Sequence, residues 1–188
     1  LMKILSKYQL WLSSYDIRPS KLFDGVDQRL LIYLTDNKYV NMHTSKYHRW
    51  TSSFRLYLFE TLEYVDSISN PVPNSFIKAS KQIEKNIIEK IFINKELGKQ
   101  ITTHKFLVYY HNAPRYFIRV MDKTPYFWNE QEGEKTSLHI KSISFGNKDN
   151  TNIVGALLNS SLFYWWFILM SNCRDLIQRD IEHFPFSL

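Results

Sequence analysis

The chain has 188 residues, 44% of them apolar and 22% charged, with only 5 Gly and 6 Pro, which excludes a disordered or a repetitive fibrous protein. Its 24 Lys and Arg outnumber its 18 Asp and Glu, and the net charge of +6 suits a polyanionic partner as well as an ordinary basic surface. The single cysteine, Cys173, excludes an intrachain disulfide framework and a multi-cysteine zinc site, and fits a reducing, cytoplasmic setting. At the amino terminus Lys7, Gln9 and Ser13 interrupt the apolar residues before a signal-peptide core can form, so no targeting segment is expected. A leucine ahead of the first methionine leaves open a residue carried over from expression and a chain excised from something longer.

The runs Gln28 to Thr35 (QRLLIYLT) and Tyr39 to Tyr47 (YVNMHTSKY), separated by Asp36, Asn37 and Lys38, spell a β-hairpin. The first run is expected to be a central strand buried on both faces, and the second, with Val40, Met42 and Thr44 on one side, an edge strand. Thr51 and Ser52 then precede Phe54 to Tyr64, where Leu58, Phe59 and Leu62 predict a capped helix packed onto the hairpin. The stretch Ser67 to Ser75 (SISNPVPNS) reads as a linker. It divides the chain into an expected first domain, 1–70, and a second, 75–188.

An amphipathic helix is predicted from Ser80 to about Lys99, with Ile83, Ile87, Ile88, Ile91 and Phe92 on one face and Gly98 as its stop. Short strands follow at His104 to Tyr110, Tyr116 to Met121 and Ser137 to Phe145, with a polar loop at Asn129 to Lys135. Ile153 to Met170 reads as one buried core helix, expected to place Leu157, Leu158, Leu162 and Phe163 in the core. Its uninterrupted apolar run, Leu162 to Met170, has nine residues, against about 20 for a membrane span. Asp175 to Asp180 predicts a short helix, and Phe184, Pro185 and Phe186 an extended tail. The fold class is therefore mixed, α and β, without internal repeats.

Few residues are arranged for catalysis. Asn70-Pro71-Val72-Pro73 lacks the aromatic of an adenine-holding Asn-Pro-Pro-aromatic loop and reads as linker. No glycine-rich turn follows a strand, so a nucleotide-cofactor site is not encoded. Asp24, Asp27 and Asp36 only superficially imitate a nuclease carboxylate cluster, because the last belongs to a turn. His43 and His48 lack a third ligand at zinc spacing, and Cys173 lacks a placed histidine partner. Two basic stretches interleaved with aromatics remain: Lys46, Arg49, Trp50 and Arg55, and Tyr109, Tyr110, His111, Asn112, Arg115 and Arg119, the second flanked by His104, Lys105 and Tyr116. Arg and Lys suit phosphates and guanine edges, Asn suits adenine, and aromatics stack on exposed bases. A charged rim over core aromatics is the competing reading of the same residues.

Arg18 to Tyr33 (RPSKLFDGVDQRLLIY) followed by Lys46 to Trp50 (KYHRW) resembles the last strands of the catalytic domain in adenine-specific DNA methyltransferases of the fused type II (type IIG) restriction–modification family. Gly155 to Trp166 (GALLNSSLFYWW), with Arg179-Asp180-Ile181 and Phe184-Pro185, is similar to the closing part of the target recognition domain of those enzymes, so the resemblance spans nearly the whole chain. It implies that residues 1–70 are the carboxy-terminal portion of the catalytic domain, a hairpin and packing helix completing its sheet. Residues 75–188 would then be a small mixed α and β domain that reads the DNA sequence.

In that family the cofactor and adenine-holding motifs lie upstream of the Leu-Phe-Asp-Gly-Val element. The chain thus corresponds to a carboxy-terminal fragment, without catalytic residues, without a cofactor of its own, and not active alone. S-adenosylmethionine would belong to the parent enzyme. The implied partners are double-stranded DNA and the upstream catalytic domain, with no membrane. The alternative is a stand-alone module that docks a protein partner through its aromatic helix.

Overall fold

The computed structural model describes residues 2–5, 7–68, 72–73, 75–103 and 105–188, and shows a mixed α and β chain divided into two compact units, 1–90 and 91–188. The division falls between Lys90 and Ile91. Of the expected linker, Ser69, Asn70, Pro71 and Asn74 lie outside the described residues, as does His104.

The first unit opens with a helical turn, α1 (Met2–Leu5), and builds a four-stranded sheet from β1 (Gln9–Tyr15), β2 (Leu30–Asp36), β3 (Met42–His48) and β4 (Val65–Asp66), in the order β2-β1-β3-β4. The expected hairpin is not formed. β1 lies between its two strands, antiparallel to β2 with Gln9 opposite Asp36, and parallel to β3 with Leu10 opposite Met42. The turn at Asp36 to Asn41 therefore carries the chain past the start of β1 instead of closing a tight pair.

Burial explains the exchange of places. β1 packs on both faces: Leu10 and Leu12 join Leu5, Met42 and Phe76 in one cluster, while Tyr15 joins Leu22, Trp50 and Leu58 in another. Its polar residues are accommodated, since the Tyr15 hydroxyl donates to Ser13 Oγ at 3.1 Å and Ser13 Oγ donates to the Ile32 carbonyl. β2, expected to be central, is an edge strand with Leu34 63% exposed, and β3, expected at the edge, is interior.

The helix expected at Phe54 to Tyr64 is a short 3-10 helix, Ser52–Tyr57, of which no residue is buried; Leu58, just beyond, is. Thr61 Oγ1 donates back to the Tyr57 and Leu58 carbonyls, which satisfies that end locally and stops propagation. Helix α2 (Gln82–Ile91) is shorter than expected. Glu84 starts it by accepting the Ser80 and Lys81 amides at 2.8 and 3.0 Å. Ile88 is its buried residue, while Ile83 stays 60% exposed.

In the second unit a 3-10 helix, Leu97–Gln100, precedes β5 (Phe106–His111), β6 (Val120–Met121), a small hairpin of β7 (Trp128–Asn129) and β8 (Gly133–Glu134), and β9 (Ile140–Phe145). Sheet order is β6-β5-β9, antiparallel throughout. The expected polar loop holds the β7–β8 hairpin, where Asn129 Oδ1 accepts the Gln131 and Glu132 amides and Gly133 takes φ 72°.

The single helix expected from Ile153 to Met170 is two, α3 (Lys148–Leu158) and α4 (Ser161–Met170), with axes bent by 68°. Ser160 caps α4 by accepting the Phe163 amide, and the Asn159 side chain bonds both the amide and the carbonyl of Val120 at 3.0 Å. Leu158, Phe163, Trp166 and Phe167 are buried, whereas Leu162, expected in the core, is 39% exposed. Trp166 donates its indole hydrogen to the Asp180 carbonyl, next to Phe92 and Phe184. A last short helix, α5 (Gln178–Glu182), precedes the buried Phe184. Among the described residues no single helix is long and apolar enough to cross a membrane.

Candidate nucleic-acid interface

In the first unit, Lys46, Arg49 and Trp50 line a groove of about 430 Å³ whose other walls include Pro19, His48, Phe54 and Leu58. β3 and the residues after it supply the polar wall, and the 3-10 helix supplies Phe54. Lys46 is exposed, and its ammonium has no hydrogen-bond or ion-pair partner among the described residues. Arg49 is already engaged: its Nε donates to Asp16 Oδ2 at 3.0 Å. Arg55 is engaged as well, donating to the Leu22 and Lys21 carbonyls at 2.9 Å, with its guanidinium 4.9 Å above the Trp50 ring. Trp50 is buried and closed on that face, so it supports the groove and does not offer a ring for stacking. His48 is held neutral, its pKa lowered to about 4 by burial first and by the charge of Lys46 second.

In the second unit the expected DNA-contacting turn lies at one end of the β6-β5-β9 sheet, where Asn112 is fixed at three points. Its amide donates to the His139 carbonyl, its carbonyl accepts the Leu176 amide, and its Oδ1 pairs with His139 Nδ1 at 3.0 Å. Among the described residues the carboxamide NH₂ has no acceptor, which leaves it for an outside one. His111 stacks on His139 with ring centroids 5.5 Å apart and accepts the Ala113 amide at Nδ1, which leaves the hydrogen of the neutral ring on Nε2. Burial, then the charges of Arg119 and His139, lower the His111 pKa.

Arg115 and Arg119 are exposed, and between them Tyr116 and Phe117 are 59% and 62% exposed. The Arg119 guanidinium lies 5.8 Å from the Phe117 ring. Tyr109 is half-buried. Tyr110 is a core residue, its phenol pKa raised by burial and by the nearby Asp180 and Glu182, so it holds the turn from beneath. Two features here escape a reading of the sequence. His139 comes from the turn just before β9 and carries no local signal. The exposed Tyr126, Phe127 and Trp128 sit in a segment without periodicity, although three consecutive aromatics beside Pro125 are a visible hint.

The other candidates do not assemble. Asp36 pairs with Lys38 and Asp27 with Lys21, and the Cys173 thiol is buried and donates to the Ile168 carbonyl. Among the described residues no group of three His, Cys, Asp or Glu is placed to hold a metal ion. Compared with known proteins, the chain matches no family model, no curated protein and no solved structure.

Proposed function

We propose that this chain is the DNA-contacting, non-catalytic part of an adenine-specific DNA methyltransferase of the fused restriction–modification type, its second unit choosing the target sequence. The observation that carries this reading is the turn from Asn112 to Arg119. There a rigidly held carboxamide, two exposed guanidiniums and two exposed aromatic rings share eight consecutive positions. Arg and Asn supply the paired donors and acceptors that read base edges in the major groove, and cations at the margin hold phosphates. The net charge of +6 and the residue-level resemblance support the same reading.

The described lining residues of the groove in the first unit include no carboxylate to face the sulfonium of S-adenosylmethionine. Methyl transfer is assigned to the upstream catalytic domain, in a cytoplasmic enzyme. The alternative, docking of a protein through the aromatic helix, has less support, because Phe163, Trp166 and Phe167 of α4 are already packed inside the unit.

The test is target preference in the full enzyme. Arg115→Ala is expected to lose about 1–3 kcal/mol of discrimination at one base position. Arg49→Ala is expected to weaken all sequences about equally. Unchanged preference in the Arg115→Ala enzyme would overturn the assignment.

A further inference from the structure

We propose that the groove between β3 and the 3-10 helix Ser52–Tyr57 binds one nucleotide of an unpaired nucleic-acid strand, with its phosphate at Lys46 and its base against Phe54. This site belongs to the first unit and does not depend on the methyltransferase reading.

Size, charge and shape select that occupant. A volume of about 430 Å³ falls within the range of small-ligand sites, roughly 300–1,000 Å³. Lys46 brings an unpaired positive charge to one side, and the described lining residues contain no carboxylate to oppose an anion. His48 is neutral at pH 7 and adds no charge. Pro19 and Leu58 give the groove an apolar surface, and the Phe54 ring is 41% exposed beside it.

Trp50 lines the groove, and its buried indole N–H has no acceptor among the described residues, so its resonance reports on a ligand seated beside the ring. Tyr57, 54% exposed and with its ring centroid 6.1 Å from that of Phe54, extends the aromatic surface to which a second unstacked base can turn. A paired base keeps both faces stacked within its duplex, and only an unpaired nucleotide can present a ring to Phe54.

The experiment uses the full chain and a fluorescein-labelled decathymidylate, with binding read by anisotropy and the Trp50 indole resonance followed by nitrogen–proton correlation spectra. Its assignment comes from the Trp50→Phe variant, which keeps an aromatic ring in the core. The oligonucleotide is expected to bind and to shift that resonance. Phe54→Ala should weaken binding at least about fivefold, the lower end of one base–aromatic stack, and Lys46→Gln should weaken it and reduce its salt dependence. Both side chains are exposed, so folding is preserved, and circular dichroism verifies it. An unmoved Trp50 resonance, or wild-type affinity in both variants, overturns the proposal. So does inorganic phosphate moving the resonance as far as the oligonucleotide, which would make the groove an anion site only. Duplex binding by Arg115→Ala is a separate measurement and bears on the preceding reading, not on this one.

Discussion

Asp16, 4% exposed, receives the Arg49 guanidinium at 3.0 Å through one carboxylate oxygen, and Arg29 approaches the other at 3.4 Å. This carboxylate ties the end of β1 to the residues that follow β3 and to the start of β2. Removing it leaves two cations facing one another around a buried space. Asp16→Ala is therefore expected to cost about 3–5 kcal/mol in urea unfolding, and Asp16→Asn less, because it retains a hydrogen-bond acceptor. A loss below about 1 kcal/mol for Asp16→Ala would show that the pair is a surface contact. Arg49 is thus a structural residue as well as a phosphate-contact candidate, and DNA binding by its variants has to be measured on folded protein.

His48 makes stability depend on pH in a defined window. Its folded pKa is lowered to about 4 from 6.5 by burial and by Lys46, while its ring stacks on Tyr15 and bonds Ser45 Oγ. Between pH 6.5 and 4 the unfolded chain takes up a proton that the folded chain refuses. This contribution is complete above pH 6.5 and declines as pH falls toward 4, by on the order of 2–3 kcal/mol in all. Chemical denaturation at pH 7, 5.5 and 4.5 reads this slope. His48→Gln should flatten it, and an equal slope in both proteins would contradict the assignment.

On one continuous helix Leu158 and Leu162, four residues apart, would share a core face, but the break at Asn159-Ser160 separates them. Leu158 is fully buried and Leu162 is 39% exposed. Leu158→Ala should cost about 2–5 kcal/mol and Leu162→Ala under about 1 kcal/mol in the same denaturation experiment. Equal losses would mean that α3 and α4 form one continuous helix.

Gly98 does not stop α2, which ends at Ile91, and has a different task. A Cβ at this position would lie 2.9 Å from Glu182 Cβ and 3.0 Å from the Glu182 carbonyl oxygen, so glycine allows the 3-10 helix Leu97–Gln100 to approach the end of α5. Gly98→Ala is expected to destabilise by about 1–3 kcal/mol, the range for overpacking. A neutral or stabilising effect would show that this contact gives way easily.

The residues that are legible in the sequence are those whose signal is local. Phe106–His111 and Ile140–Phe145 carry apolar, β-branched and aromatic runs bounded by turn residues, and both are strands. The turn from β5 to β6 holds Asn112 and Arg115, in keeping with its Pro and Asn content. β1 is not legible, because Gln9, Ser13 and Ser14 interrupt its apolar pattern, and Gln9 and Ser13 meet their partners, His43 and the Ile32 carbonyl, only after folding. β2 misleads for the complementary reason: its Leu, Ile and Tyr content matches a central strand, yet β1 occupies that place. Apolar density in Ile153 to Met170 conceals the break that Asn159 and Ser160 make through capping bonds. In the candidate interface, charge and aromatic content are visible at Lys46, Arg49 and Arg55. Occupancy by Asp16 and by backbone carbonyls is not, since those partners lie up to 34 positions away in sequence.

The most direct test of the account is duplex DNA binding by this chain as salt is raised from 50 to 200 mM, compared between wild type and Arg115→Ala by fluorescence anisotropy. Association on the order of micromolar to 100 micromolar is expected, falling as salt rises and counterion release contributes less, with weaker binding in the variant. Binding indifferent to salt, or identical in the two proteins, would contradict it.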